Sequence, residues 1–287
     1  MRATFLAFRL SLLLLLGCGS GLSPALLARV RAGAARVERA APLTSVRLVG
    51  EVTQPIVLVR LDGKGPFRFL VDAGGNVVSV NRSVAQAAGL RVLYSGKGRE
   101  VVQVQALELG SVRLVDVAAV VEPELDVDGV LGFNVFTEGL LTLDYPGRTL
   151  TWAAQGALPP ADGRGIVDYA LRERMPYVPF RAGARTLWFN LDTGARGDFY
   201  VPAAMESELP LRAPAKEGPR LWNQAFGTTD TRVGELTVPL ELGAFREEHP
   251  HVVFSPELQT ELLVGSGFLQ RFALTFDLAH HRLRLTP

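Results

Sequence analysis

The feature that most constrains this chain is a divergent internal repeat centred on two aspartates. Residues 67–75 and 187–195 each begin as an apolar strand and end in an Asp-x-Gly sequence, with Asp72 and Asp192 at matching positions. A repeat of this kind indicates two equivalent structural units, because each copy carries the same local pattern of strand and turn. The sequence therefore predicts two similar lobes, each with one aspartate at the end of an apolar strand.

The repeat continues beyond the aspartates. In both copies a short helix follows, then two apolar residues and a glycine, then a pair of strands joined by a turn. The helices are predicted at 83–88 and 202–208, the apolar-apolar-Gly sequences at 130–132 and 263–265, and the strand pairs at 141–152 and 274–285. Asn81 or Ser83 could cap the first helix, and Pro202 suits the start of the second.

Composition favours strands over long helices. The chain has 29 Gly and 18 Pro residues, which separate short runs rich in Val and Leu. Hairpin turns are predicted at 62–63 and 183–184. We predict an N-terminal lobe at residues 44–154, a linker at 155–163 and a C-terminal lobe at 164–287.

The two repeated aspartates can act together in catalysis if the loops that carry them meet. Burial of an unpaired carboxylate is unfavourable, so an aspartate at the end of an apolar strand needs an explanation. The glycine of each Asp-x-Gly sequence lets the backbone turn sharply and approach another loop closely. Two such loops can meet across a pseudo-twofold axis and place both carboxylates within reach of one water. Like charges so close share one proton, so the ionised aspartate can act as general base while the protonated one polarises a carbonyl.

These residues resemble a known family. The sequence Asp192-Thr193-Gly194-Ala195 is similar to the Asp-Thr/Ser-Gly motif of aspartic proteases, and the apolar-apolar-Gly sequences resemble the element beneath the active loop in that family. The two-copy arrangement resembles bacterial retropepsin-like proteases, or a compact pepsin-like chain, over nearly all of residues 44–287. The resemblance implies an all-β fold of two similar β-barrel lobes related by a pseudo-twofold axis, each with a short helix.

The resemblance also implies an activity and roles for individual residues. It predicts an aspartic endopeptidase that hydrolyses peptide or protein substrates without a cofactor or a metal. Because both lobes lie in one chain, we expect a monomer. Asp72 and Asp192 would be the catalytic pair. The residues that support the two active loops would be Ala73, Gly74, Thr193, Gly194 and Ala195.

Position in the family also predicts two flap hairpins over the substrate. They fall at residues 94–98 in the first copy and 226–229 in the second. Tyr94 and Phe226 would be the aromatic residues that contact the substrate. The alternative for Tyr94 is an exposed loop residue.

Ala73 departs from the family pattern. The family places Thr or Ser after each aspartate, and that hydroxyl donates across the interface to the opposite loop. Ala73 lacks the hydroxyl and Thr193 retains it, so we expect half of this contact. The departure motivates a second hypothesis, a catalytically impaired protein that binds peptides or cell-envelope components in the cleft between the lobes. A third hypothesis is a purely structural envelope lipoprotein.

The N-terminus has the pattern of an export signal. Arg2 and Arg9 are followed by an apolar run at residues 10–16. This run is too short to span a bilayer, which takes roughly 20 apolar residues. We therefore predict a signal peptide at residues 1–17.

The only cysteine in the chain follows that signal directly. Residues 15–18 resemble a bacterial lipobox, in which Cys18 would be lipidated and would hold the chain at the membrane. The alternative is a plain signal peptide cleaved near residues 23–25. We expect a flexible tether at 18–43 and an exported lipoprotein that faces the periplasm or the cell surface, at the outer membrane.

Other functional classes receive little support from the sequence. A net charge of +1 gives no field that favours nucleic acid. The single cysteine cannot form an internal disulfide, and the four histidines lack the spacing of a metal site, so no metal is predicted. Asp144 and Asp277 precede predicted turns and are interpreted as turn residues.

Overall fold

Strands dominate the computed structural model, which describes residues 21–123, 125–223 and 227–287. The fold is all-β with two lobes of the barrel type, and this confirms the predicted fold class. The predicted signal peptide at 1–17 and Cys18 lie outside the described residues. Within the described ranges, no helix is long and apolar enough to cross a lipid bilayer.

The N-terminal lobe is built around a sheet that closes on itself. Its elements are α1 Pro24–Ala32, β1 Arg36–Arg39, β2 Leu43–Arg47, β3 Ile56–Leu61, β4 Lys64–Asp72, β5 Val78–Asn81, α2 Arg82–Ala88, β6 Arg91–Gly96, β7 Arg99–Leu109, β8 Val112–Glu122, β9 Gly129–Gly132, a 3-10 helix Phe133–Val135, β10 Leu140–Asp144 and β11 Thr149–Ala153. The strand order is β1-β8-β5-β9-β4-β3-β7-β6, and β7 also pairs with β8. That last pairing joins β8, β5, β9, β4, β3 and β7 into a ring, so this lobe is a barrel.

The C-terminal lobe repeats this arrangement in a more open form. Its elements are β12 Ile166–Asp168, β13 Ala170–Arg172, β14 Met175–Ala182, β15 Arg185–Asp192, β16 Phe199–Pro202, a 3-10 helix Ala203–Ser207, β17 Lys216–Glu217, β18 Leu221–Asn223, β19 Gly227–Thr229, β20 Arg232–Glu235, β21 Leu240–Leu242, β22 Phe245–Glu247, β23 His251–Ser255, β24 Leu262–Gly265, α3 Ser266–Leu269, β25 Ala273–Asp277 and β26 Arg282–Thr286. The main sheet runs β17-β20-β23-β16-β24-β15-β14-β21-β22, with β18 paired to β19 separately.

The strand that ends in each aspartate pairs with the strand that ends in the later glycine. In the first lobe β4 and β9 are parallel, with Asp72 opposite Gly132. In the second lobe β15 and β24 are parallel, with Asp192 opposite Gly265. Parallel pairs are commonly buried on both faces, and the three residues that precede each aspartate in these strands are indeed buried.

The two predicted short helices differ in length and type. The first forms as α2, where the Asn81 side chain accepts a hydrogen bond from the Ser83 amide and Gly89, at φ 64°, ends the helix. The second is only a 3-10 turn at Ala203–Ser207. Pro210 follows soon after it, and the residue before a proline disfavours the helical conformation, so the turn cannot extend.

The lobes are joined by a sheet to which both contribute. Its order is β12-β26-β25-β10-β11-β2, and the lobes meet where β10 pairs with β25. Thr142 lies opposite Thr275, its counterpart in the repeat, and their hydroxyl oxygens are 2.9 Å apart. A residue paired with its own counterpart marks the pseudo-twofold axis.

The N-terminal segment corrects one prediction. Residues 24–39 fall in the predicted flexible tether, but the structure shows α1 and β1 there. Ser23 caps α1 by accepting from the Leu26 amide, and β1 pairs with β8. The reason is tertiary: α1 carries a few apolar side chains that pack on the barrel, a signal too weak to show against the arginines around it.

Asp277 also differs from its prediction. It is fully buried, where a surface turn residue was expected, and its carboxylate accepts from the Leu158 amide at 2.8 Å and from the His280 amide at 3.1 Å. Leu158 belongs to the predicted linker, so Asp277 fixes the connection between the lobes. Asp144 does act in its turn, where it accepts from the Gly147 amide at 2.7 Å.

We predict that Asp277→Asn destabilises the fold at neutral pH. Burial alone raises the pKa of Asp277, but the hydrogen bonds from Leu158 and His280 outweigh it and hold the pKa below the 3.8 of an unperturbed aspartate. A group whose pKa is depressed by folding stabilises the protein above its unfolded pKa, and this contribution is lost as the pH falls through the folded value. We expect a loss of about 2 kcal/mol at pH 7, measured by urea unfolding.

The same experiment at falling pH should show a shrinking gap between the variant and the unmodified protein, since the gap closes as the pH drops through the depressed pKa of Asp277 and the carboxylate becomes neutral. Asp144→Asn is the matched control, because that aspartate is half-buried and accepts within a turn. An equal loss in both variants would contradict the role given to Asp277.

Candidate active site

The structure brings Asp72 and Asp192 together. They stand at the ends of β4 and β15 and are 6% and 0% exposed. Both lie against Gly194: a Cβ atom built there would be 3.2 Å from Asp72 Oδ2 and 3.3 Å from Asp192 Oδ1. A side chain at 194 would therefore press on both carboxylates, and glycine is what allows the pair to meet.

Backbone amides of the loops hold an oxygen of each carboxylate. The Gly74 amide donates to Asp72 Oδ1 at 2.9 Å. The Gly194 and Ala195 amides donate to Asp192 Oδ1 at 3.0 and 2.8 Å. Each loop thus fixes its own aspartate, through the amides of Gly74 in the first loop and of Gly194 and Ala195 in the second.

Thr193 connects the two loops. Its hydroxyl donates to the Val71 carbonyl at 2.7 Å and accepts from the Ala73 amide at 2.9 Å. Thr193 is fully buried, and Ala73, only 4% exposed, has a methyl group in the matching position. The cross-loop contact therefore runs from the second lobe to the first through one hydroxyl.

The strands that end in glycine support both loops from below. The Phe133 amide donates to the Gly75 carbonyl, and the Ser266 amide donates to the Ala195 carbonyl, each at 2.7 Å. Ser266 adds a second bond to the same carbonyl through its hydroxyl, at 2.8 Å. These matched contacts extend the pseudo-twofold relation from the strands to the loops.

The two glycines that end these strands have no room for a side chain. A Cβ at Gly132 would be 2.4 Å from the Val77 carbonyl oxygen, and one at Gly265 would be 2.3 Å from the Gly197 carbonyl oxygen. Both distances are far below a normal contact, so only glycine lets the strand pass this close to the loop.

Tyr145 is a neighbour of the pair that sequence reasoning missed. It is fully buried, and its hydroxyl has no hydrogen-bond partner among the described residues. Burial raises the pKa of Tyr145 well above its ordinary value, and the negative charges of Asp192 and Asp72 raise it further. The phenol therefore stays neutral beside the carboxylates. Its position just after β10 gave no sign of this role, because a tyrosine before Pro-Gly is typical of an ordinary turn.

The structure does not show either of the two predicted flap residues over the aspartate pair. Tyr94 lies on the β6–β7 hairpin and is half-buried, and it packs with Leu26 and Val30 of α1. Its hydroxyl lies close to Gly21 as well, so this side chain contacts the N-terminal segment. Phe226 lies outside the described residues, although β18 and β19 on either side of it do form a hairpin.

Two of the four histidines lie beside a carboxylate, one on the surface and one at the linker. His249 lies 3.0 Å from Glu235, and His280 lies 3.0 Å from Asp277. In the part of the chain that the structure describes, no group of three His, Cys, Asp or Glu side chains is arranged to hold a metal ion.

We predict that Thr193→Val, which keeps the shape of the side chain, destabilises the protein. The change removes a donor to Val71 and leaves the Ala73 amide buried without its acceptor, so the expected loss is about 2–3 kcal/mol in chemical unfolding. Thr186→Val, at an exposed position of β15, the strand that precedes Thr193, is the control and should change stability by less than about 0.5 kcal/mol. Equal effects would mean that the cross-loop contact adds nothing.

A comparison with protein families gives a match to part of the first lobe. Residues 57–135 match a family model described as aspartyl protease. The match runs from β3 through the Asp72 loop to the 3-10 helix after Gly132. A search of curated proteins gives no significant match to the chain. The part of the N-terminal lobe that carries the first aspartate is thus similar to aspartyl proteases.

Proposed function

We propose that this chain is an aspartic endopeptidase in which Asp72 and Asp192 activate a water to hydrolyse a peptide bond. The observation that carries the proposal is the convergence of both carboxylates on Gly194. The family match over residues 57–135 supports the same function for the lobe that holds Asp72. The second lobe adds Asp192 through a loop with equivalent supporting contacts.

The chemistry follows from two carboxyl groups that share one proton. The ionised group takes a proton from the water as it attacks the substrate carbonyl, and the protonated group donates to the carbonyl oxygen. A proton then passes to the nitrogen of the leaving amine as the C–N bond breaks.

Rigid loops favour this reaction. The amides that bind Oδ1 of each aspartate fix the carboxylates before substrate arrives, and the Thr193 hydroxyl holds one loop to the other. Positioning of this kind lowers the barrier, because the groups need no reorganisation in the transition state.

A binding function without catalysis is the second candidate. Asp192 has no exposed surface and Asp72 only 6%, and Ala73 removes one of the two hydroxyls that would tie the loops together. A cleft of this kind could hold peptides or cell-envelope components without cleaving them. Cleavage data separate the two functions directly.

The remaining proposals concern location and partners. Export through the signal at 1–17 and lipidation of Cys18 would place the enzyme at the periplasmic or outer surface, with peptides or proteins as substrates. The formal charge of +1 supports a substrate other than nucleic acid. With both aspartates in one chain, a monomer would suffice.

Cleavage of a diverse peptide mixture tests the proposed function. The protein should retain residues 21–287, because the structure packs residues 24–39 on the first lobe. We expect new peptide termini, detected by mass spectrometry between pH 3 and 7, and a loss of at least about 100-fold in rate for Asp192→Asn or Asp72→Asn.

Asp144→Asn is the matched control for this assay and should keep its activity, since its carboxylate serves a turn away from the pair. If the folded, unmodified protein cleaves nothing at any pH, the endopeptidase proposal fails and binding becomes the better account. Cleavage that survives Asp192→Asn would indicate a contaminating protease.

A further inference from the structure

The N-terminal segment at residues 21–34, which we call the strap, packs on the first lobe close to the candidate site. Val30 in α1 is fully buried, and Leu26 and Leu27 pack around it. Together they cover an apolar surface of the barrel whose residues come from the Asp72 loop, the β6–β7 hairpin and β8. Those residues are Val77, Leu93, Tyr94, Val101, Ala118 and Val120.

Polar contacts also hold the strap in a defined position on the barrel. The Asn134 side-chain amide donates to the carbonyls of Val30 and Arg31, at 3.3 and 3.4 Å. Arg29 pairs with Asp116 at 2.8 Å, and β1 continues the segment along β8. Asn134 is 1% exposed, so its two bonds to the end of α1 are shielded from water.

Asn134 also lies next to the two residues that support the Asp72 loop. The preceding residue, Phe133, donates its amide to Gly75, and Gly132 lies opposite Asp72 in the parallel pair. A Cβ at Gly132 would be 2.9 Å from Asn134 Oδ1, which shows how tightly the side chain is set against that strand. Residues 132–134 therefore contact both the strap, through Asn134, and the Asp72 loop, through Phe133.

The second lobe covers its equivalent surface differently. There Leu221 of the β18 strand, Tyr200 and Val253 pack with Leu258, which lies in the loop between β23 and β24. In the first lobe Val127, in the corresponding loop between β8 and β9, packs in a separate cluster with Ile56. Among the described residues, the apolar cluster on this surface of the first lobe is completed by the strap and not by Val127.

We propose that the strap holds the β6–β7 hairpin and the Asp72 loop in place, with Asn134 as the positioning residue that links the strap to the loop. Its effect on catalysis rests on the proposed peptidase function, whereas its effect on the hairpin and the loop does not. The residues that would otherwise be expected to face a substrate, Tyr94 among them, are here braced by α1.

Hydrogen exchange measured by mass spectrometry on the protein with residues 21–287 tests the structural part. Val30→Asp places a charge in a fully buried site and should release the strap. We expect exchange at least about tenfold faster at residues 72–78 and 91–103, with no change at 175–202 in the second lobe. Ala28→Asp adds the same charge at an exposed position of α1 and should change nothing there.

Asn134→Ala is the second variant, because it keeps the apolar packing of the strap and removes only the hydrogen bonds from Asn134 to Val30 and Arg31. It should speed exchange at 72–78 in the same way. Faster exchange confined to residues 21–39, or spread equally over both lobes, would overturn the proposal.

The kinetic readout separates positioning from simple loss of stability. In a peptidase assay Asn134→Ala should lower kcat by about tenfold and leave KM within about twofold, because it shifts the Asp72 loop and leaves the cleft walls in place. Unchanged kcat would contradict the positioning role. If the unmodified protein cleaves no peptide, the proposed function fails, and the exchange data still decide whether the strap holds the loop.

Discussion

Two carboxylates can lie side by side in a protein interior only if something opposes their repulsion and their loss of water. In this chain the opposing contacts are backbone amides that bind Oδ1 of each aspartate, and a glycine that leaves room between them. Much of the fold can be traced to this requirement. The parallel strand pairs, the glycines that end them and the sheet shared by the lobes all fix the loops at the distance the carboxylates need.

The two lobes hold their aspartate loops in place by different contacts. Thr193 reaches across to Val71 and Ala73, and no hydroxyl returns from the first loop. Other contacts are present on that side, where α1 packs against Val77 of the Asp72 loop, Asn134 donates to the end of α1, and the neighbouring Phe133 donates to Gly75. The first lobe is thus held by a segment outside the repeat, whereas the second relies on its own loop around Leu258.

Patterns within each repeat predicted the fold and the pairing of the aspartates. The match between residues 67–75 and 187–195, and the later apolar-apolar-Gly sequences, depend on neighbours in sequence and are therefore visible in a single chain. The misses depend on distant contacts. Asp277 precedes a turn, but its burial comes from the linker residue Leu158, and Tyr145 becomes a neighbour of the pair only when the lobes meet. The helix at 24–32 was missed for the same reason, since its stability comes from the barrel it covers.

The pairing of β10 with β25 joins two lobes that belong to one polypeptide. Their encounter is therefore an intramolecular event, with an effective concentration set by the connecting chain. Dilution would not separate the lobes, as it separates subunits that meet in solution. In a single chain the two loops can also differ in sequence, because a change at residue 73 is not copied to residue 193. The difference between Ala73 and Thr193 is a divergence that a symmetric pair of identical subunits could not make.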